Sequence, residues 1–132
     1  MFMPALYTLP GQKSTSQRRS SIPPVFKMLT YTSILRDYAQ VGDIVLTEIS
    51  VALVEGTDEE LEEQARIYKD IISACIEVNA ELGRSACRAM LLWGISDRES
   101  DEWRRAVFDE DLNPKPAYFA IRDALHAAAS QQ

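Results

Sequence analysis

A carboxylate and an indole stand at the ends of two short apolar runs in this sequence. Glu48 lies near the end of residues 43–50, and Trp93 closes residues 86–93. Parallel strands gather reactive groups at their carboxyl ends, so both side chains are expected at one rim. Aromatic faces stack on pyranose rings, and carboxylates act on glycosidic bonds. The pair therefore points to a sugar site. The alternatives are a solvated strand-end residue for Glu48 and a core aromatic for Trp93.

Helices must position these two residues. Apolar residues recur at three- and four-residue steps in three segments, which predicts three helices. They cover residues 25–41, 58–82 and 117–129. Thr57 and Glu60 have the spacing of a capping box at the start of the second helix, and Gly83 is placed to end it. Gly42 is placed to end the first.

The two apolar runs are predicted to be parallel strands that are covered on both faces. Residues 43–50 and 86–93 are short, largely aliphatic and almost without polar alternation. Alternation of helices and strands predicts an α/β fold with a right-handed βαβ unit. Two strands cannot cover themselves, so further strands are expected either outside this chain or from another copy of it.

Charge and hydropathy exclude several classes of partner. The chain has 132 residues and a formal net charge of −6, with nine basic and nineteen acidic residues among residues 41–132. Such an acidic body does not attract phosphate backbones, so no nucleic acid is expected as a partner. No stretch approaches the ~20 apolar residues of a membrane span, and residues 1–10 do not have the pattern of a signal peptide. No membrane partner is expected.

The remaining composition indicates no cofactor. Two cysteines twelve residues apart and one distant histidine give no zinc spacing, and no glycine-rich phosphate loop is present. Neither a metal nor another cofactor is expected. Residues 1–24 have no periodicity, so they are predicted to be an irregular or disordered lead.

Three segments resemble glycoside hydrolase family 10, whose members are endo-1,4-β-xylanases. They are residues 46–51 (LTEISV), 93–100 (WGISDRES) and 107–118 (VFDEDLNPKPAY). The first looks like the segment with a Thr-Glu pair that ends the seventh barrel strand. The second is similar to the Trp-Gly-x-x-Asp-x-x-Ser stretch that ends the eighth strand, and the third to the family's closing Pro-Lys-Pro-Ala-Tyr run. Their order and spacing agree with the family across about residues 43–126.

The resemblance implies a partial (β/α)8 TIM barrel, with residues 25–132 as its last two βα units and a preceding helix. It implies that Glu48 is the nucleophile of a retaining mechanism and that Trp93 lies beneath the neighbouring subsite. Asp97, Arg98 and Trp103 become candidates for binding xylan or a xylo-oligosaccharide. Trp103 would replace a family tryptophan whose position is Asp101 here. The alternative for Asp97 and Arg98 is a solvated loop salt bridge.

The chain also departs from the family. A retaining glycosidase needs a second carboxyl ~5–5.5 Å from the nucleophile, and the family places it on the fourth strand. Ser50 stands where the family has an aspartate, and no histidine precedes Glu48, since the only one is His126. This chain is therefore expected to be inactive alone, with the missing N-terminal part of the barrel as a candidate partner. The alternative is a non-catalytic remnant that binds sugar or another protein.

The resemblance bears on the cysteines as well. Many family members join a cysteine late in the seventh helix to one six residues before the strand-ending tryptophan. Cys75 and Cys87 occupy these places, so the resemblance implies a disulfide with Cα atoms about 4.4–6.8 Å apart. A bridge would indicate a secreted parent protein. The alternative is two inert buried thiols.

Overall fold

The computed structural model of the protein describes residues 24–99 and 104–130. It contains three helices and two strands: α1 Pro24–Ala39, β1 Ile44–Ile49, α2 Asp58–Leu82, β2 Cys87–Leu92 and α3 Pro116–Ala129. Each predicted element is present in the predicted order, with bounds that agree to within two residues. The predicted irregular lead lies outside the described residues, except that Pro24 already begins α1.

The two strands form a parallel sheet joined by α2. Ile44 is paired with Cys87 and Ile49 with Leu92, so the strands begin and end level with each other. The Ile44 N–H donates to Ala86 O at 2.7 Å, which extends the ladder at the start of both strands. The alternating pattern therefore produces the expected parallel βαβ unit. We call the edge of the sheet at the carboxyl ends of β1 and β2 the rim.

The expectation that the strands are covered on both faces is wrong for this part of the chain. Val45 on β1 is 42% exposed and Leu91 on β2 is 51% exposed. One face of the sheet packs on the helices through Leu46, Met90 and Leu92. The opposite face is open because nothing in residues 24–99 and 104–130 packs against it. An apolar sequence shows that a strand can be buried on both faces, but it does not show whether another element packs against each face.

The core consists of two clusters at opposite ends of the strands. The basal cluster joins α1, the second half of α2 and the strand starts; its buried members are Leu35, Ala39, Ile44, Ala74, Cys75, Val78, Ala86 and Cys87. The rim cluster joins the first half of α2 to α3 and the strand ends; its buried members are Ala65, Tyr68, Val107 and Ala117. Helix α2 thus contributes to both.

Cys75 and Cys87 form a disulfide in the basal cluster. Their Cα atoms are 5.5 Å apart, within the range that a bridge requires. Next to it, the Asn79 side chain accepts from Cys87 N at 2.7 Å and donates to Cys87 O at 3.0 Å. The amide of Asn79 therefore binds the start of β2 as a neighbouring strand would.

Helix α2 has well-defined caps at both ends. At the start, Glu60 N–H donates to Thr57 Oγ1 at 3.3 Å. The Glu60 carboxylate accepts from Gly56 N at 2.7 Å and from Glu55 N at 3.0 Å, so it reaches slightly further back than a capping box predicts. These backbone hydrogen bonds, that from Glu55 first, lower the pKa of Glu60. At the other end, Gly83 ends the helix with φ 60°.

Candidate functional site

Glu48 adopts a left-handed backbone conformation at the rim. Its φ is 58°, and the strand register shifts between Leu46 and Ile49. A left-handed conformation is uncommon for a residue with a Cβ and costs free energy, so it persists where surrounding contacts impose it. Such residues concentrate at functional sites. The side chain is exposed, as a group that meets a ligand must be.

Trp93 follows β2 directly and lies beside the end of β1. Its backbone N–H donates to Ile49 O at 3.0 Å, which continues the parallel ladder past the last paired residues. The side chain is 51% exposed, so Trp93 is not a core aromatic in this part of the chain. Gly94 has φ 77°, and the chain leaves the sheet there. The rim therefore presents a carboxylate and an indole on adjacent strands, as the sequence predicts.

Asp97 is a buried residue of the loop after β2 and forms an ion pair with Lys115. The Lys115 Nζ donates to Asp97 Oδ2 at 2.9 Å, and Ala106 N donates to Asp97 Oδ1 at 2.9 Å. The two charged side chains are 6% and 7% exposed. The bridge is therefore buried rather than solvated. Both oxygens of Asp97 bind groups of this chain, whereas its contact with a sugar stays a prediction.

The other predicted binding residues have less defined surroundings. Arg98 is exposed, and its backbone N–H donates to Ser96 Oγ at 3.1 Å. Its side chain faces solvent in the loop that follows Trp93, where a ligand could reach it. Trp103 lies outside the described residues, so its predicted contact with a sugar stays a prediction as well.

A tight turn brings Lys115 back beneath this loop. Asp109 accepts hydrogen bonds from Asn113 N at 2.8 Å, Asn113 Nδ2 at 3.0 Å and Asp111 N at 2.9 Å. The bonds from the side chain and backbone of Asn113 lower the pKa of Asp109. Lys115 N then donates to Val107 O at 2.9 Å, and α3 begins at the next residue. The segment 107–118 therefore builds the support of the rim rather than its surface.

Two polar side chains on α2 bind the backbone of the segments that follow β1 and β2, and sequence reasoning missed them. Gln64 and Tyr68 are one helical turn apart and almost completely buried, at 0% and 1% exposure. Gln64 Nε2 donates to Val51 O at 2.7 Å, and Tyr68 OH donates to Arg105 O at 3.4 Å. The signal in the sequence is a glutamine within the apolar face of an otherwise amphipathic helix.

Other kinds of site find no support in the described ranges. No group of three or more histidine, cysteine or acidic side chains within residues 24–99 and 104–130 is arranged to hold a metal ion. None of the helices described there is long and apolar enough to cross a bilayer. The rim has an exposed carboxylate and a half-exposed indole at the ends of adjacent strands.

The sequence model of glycosyl hydrolase family 10 matches residues 20–124 of this chain. Endo-1,4-beta-xylanase 2 of Aureobasidium pullulans is 32% identical over 109 residues, which are 74% of this chain and 28% of that protein. Endo-1,4-beta-xylanase B of Thermotoga neapolitana is 35% identical over 74 residues, which are 49% of this chain and 19% of that protein.

Solved structures are similar over the same region. Native xylanase 10B of Thermotoga maritima superposes with a TM-score of 0.67 at 28% identity, over 80% of this chain and 34% of that one. Xylanase 10B of Thermotoga petrophila RKU-1, in complex with xylobiose, gives 0.63 at 30% identity, over 76% of this chain and 32% of that one. The chain thus spans about a third or less of the length of these relatives. It belongs to glycosyl hydrolase family 10 and folds as part of that family's TIM barrel.

Proposed function

We propose that this chain contributes the nucleophile and one sugar-stacking surface of a retaining endo-1,4-β-xylanase site. The observation that carries the proposal is the exposed, left-handed Glu48 beside the half-exposed Trp93 at the ends of adjacent parallel strands. Membership of family 10 supports it, since the relatives named above are endo-1,4-beta-xylanases. The proposed ligand is xylan or a xylo-oligosaccharide.

In the proposed reaction, a Glu48 carboxylate oxygen bonds to the anomeric carbon as the glycosidic C–O bond breaks. A second carboxylic acid gives its proton to the departing sugar oxygen. This second residue, now a carboxylate, then takes a proton from water. The water oxygen bonds to the anomeric carbon as the bond to Glu48 breaks. Trp93 stacks on the apolar face of a xylose ring and holds it against the carboxylate.

The second carboxyl is proposed to come from other βα units of a barrel. Asp97 is a poor source because both of its oxygens bind Lys115 and Ala106 within the loop. The open sheet face, with Val45 and Leu91 exposed, offers the surface on which further strands would pack. This chain alone is therefore proposed to bind xylo-oligosaccharides without hydrolysing them.

The proposal is tested by measuring calorimetric binding of xylo-oligosaccharides and release of reducing ends in parallel. The chain alone should bind, Trp93→Ala should abolish binding, and Glu48→Gln should retain it. Adding a separate chain with the first six βα units of a family 10 barrel should produce hydrolysis that Glu48→Gln abolishes. Hydrolysis that survives Glu48→Gln would show that Glu48 is not the nucleophile. Hydrolysis by the chain alone would show that it holds its own acid.

A second candidate function is non-catalytic sugar binding. The 51% exposure of Trp93 favours it, because an open aromatic face is enough to stack a sugar ring. Binding that depends on Trp93, with no hydrolysis after the first six βα units are added, would support this candidate over the enzyme.

We also propose that the parent protein is exported. The proposal rests on the disulfide between Cys75 and Cys87, since such bridges form and persist in oxidising compartments. Mass spectrometry of the protein isolated from its source without reductant should find these cysteines bridged. Two free thiols in that material would remove the basis for export.

A further inference from the structure

Two side chains of α2 bind the backbone of Val51, three residues after Glu48. Gln64 Nε2 donates to Val51 O at 2.7 Å, and the Val51 backbone also hydrogen-bonds the Tyr68 hydroxyl. The Tyr68 hydroxyl is protonated at neutral pH and can donate to Arg105 O, and burial raises the pKa of Tyr68 to about 12. The chain is therefore fixed at two points directly after Glu48, at Val51 and at Ile49, whose carbonyl accepts from the backbone N–H of Trp93.

The same two side chains reach the loop that follows β2. Gln64 Nε2 also lies 3.4 Å from Arg104 O, and Tyr68 OH lies 3.4 Å from Arg105 O. From that loop, Arg104 Nη1 donates back to Glu55 O at 3.1 Å. Residues 50–57 after β1 are called rim loop 1 below, and residues 94–99 with 104–115 after β2 are called rim loop 2. Both loops therefore contact the same turn of α2, the one that contains Gln64 and Tyr68.

We propose that Gln64 and Tyr68 are positioning residues that couple the two rim loops and thereby hold Glu48 in its left-handed conformation beside Trp93. The inference rests on the proposed function only for its catalytic consequence, since the coupling itself is a property of the fold. It adds a pair of residues to the site that lie beneath it and touch no substrate.

A purely packing role does not explain Gln64. Gln64 is fully buried, and its Oε1 has no hydrogen-bond partner. An unpaired buried oxygen costs free energy that methionine, a side chain of similar shape, would avoid. Glutamine, unlike methionine, donates two hydrogen bonds through Nε2, to Val51 O and Arg104 O, and these offset the cost of the unpaired oxygen. A conformation as unfavourable as that of Glu48 persists only where its neighbours are fixed, and Val51 is the neighbour that these bonds fix.

The test uses Tyr68→Phe and Gln64→Met in the full chain, followed by NMR. Tyr68→Phe removes one hydroxyl and keeps the ring in the rim cluster. Amide exchange should accelerate roughly tenfold, the effect of one lost hydrogen bond, at Val51 in rim loop 1 and also at Ala106 in rim loop 2. The backbone ¹³C shifts of Glu48 should move away from left-handed values, and Gln64→Met should produce the same pattern.

The matched control is Glu81→Gln, which breaks the exposed pair with Arg36 at the far end of α2. It should leave exchange in both rim loops and the Glu48 shifts unchanged. Faster exchange at Val51 alone, or an equal acceleration throughout the molecule, would overturn the coupling. Unaltered Glu48 shifts in both variants would overturn the positioning role. If Gln64→Met does not fold, Tyr68→Phe gives the same two readouts.

A catalytic readout separates this inference from the proposed function. In the assembly with the other barrel units, Tyr68→Phe should lower kcat roughly tenfold with little change in KM, because a displaced nucleophile affects the reaction more than binding. A rise in KM with unchanged kcat would contradict positioning. If the assembly shows no hydrolysis at all, the proposed function fails, while the exchange and shift measurements still decide the coupling.

Discussion

At the basal end of the sheet, α1, α2 and the strand starts pack through apolar side chains and one disulfide. At the rim, the buried side chains of Gln64 on α2 and of Lys115, which precedes α3, also bind backbone carbonyls of two loops. Apolar packing stabilises without strong directional preference, whereas hydrogen bonds fix distance and angle. At the basal end, hydrogen bonds such as those of Asn79 supplement the packing of regular elements, whereas at the rim they fix two loops that no helix or strand ladder holds.

The buried pair at the rim should show the largest effect. Lys115→Met leaves the Asp97 carboxylate buried without its counter-charge, which we expect to cost about 3–5 kcal/mol of unfolding free energy. Urea unfolding measures it. The double variant Asp97→Asn with Lys115→Met removes both charges and should recover much of the loss. A double variant no more stable than Lys115→Met would contradict the role of the unpaired charge.

The disulfide should give the next largest effect, confined to the basal end. Replacing Cys75 and Cys87 by serine should lower the unfolding free energy by about 3 kcal/mol in the loop-entropy model. Wild-type protein in reductant should match this variant under the same urea titration. Below the transition, tryptophan fluorescence should stay at its native value. A shift in that emission before unfolding would show that the two ends are not separate.

A smaller effect of opposite sign is expected at Glu48. Glycine adopts a positive φ without steric cost, but it loses more conformational entropy on folding than other residues. The net effect of Glu48→Gly should be a stabilisation of about 0.5–1 kcal/mol. Glu48→Ala is the matched control, because alanine keeps a Cβ and should bring no gain. Thermal unfolding of both variants measures the difference. Equal stability of the two would show that the left-handed backbone carries no cost.

The smallest effect should appear only in acid, at the start of α2. Backbone hydrogen bonds lower the folded pKa of Glu60 below its usual 4.5, so the carboxylate stabilises the fold above that value. This contribution is lost as pH falls through the lowered pKa. In the wild type, the midpoint of urea unfolding should decrease as pH falls from neutral to acid. In Glu60→Gln this decrease should be smaller. Glu59→Gln, in the same helix turn, should leave the slope unchanged, and an equal change in both would contradict the assignment.

Much of this fold could be predicted from periodicity, and the placement of Glu48 and Trp93 at one rim followed from parallel strands. The left-handed φ of Glu48 could not, because no glycine marks the position and glutamate rarely adopts a positive φ. The buried state of Lys115 was hidden for the same reason, since its partner Asp97 lies eighteen residues earlier. Gln64 gave a signal, a polar residue in an apolar face, but its two loop partners depend on tertiary structure.

The bridge between Cys75 and Cys87 also changes the connectivity of the molecule. It closes a covalent ring that contains residues 75–87, and the exposed Arg84 is one of the residues of this ring. A protease that cuts after Arg84 therefore opens the ring without separating the pieces, because the sulfurs still join them. Between α2 and β2, the integrity of the βαβ unit no longer depends on an unbroken main chain.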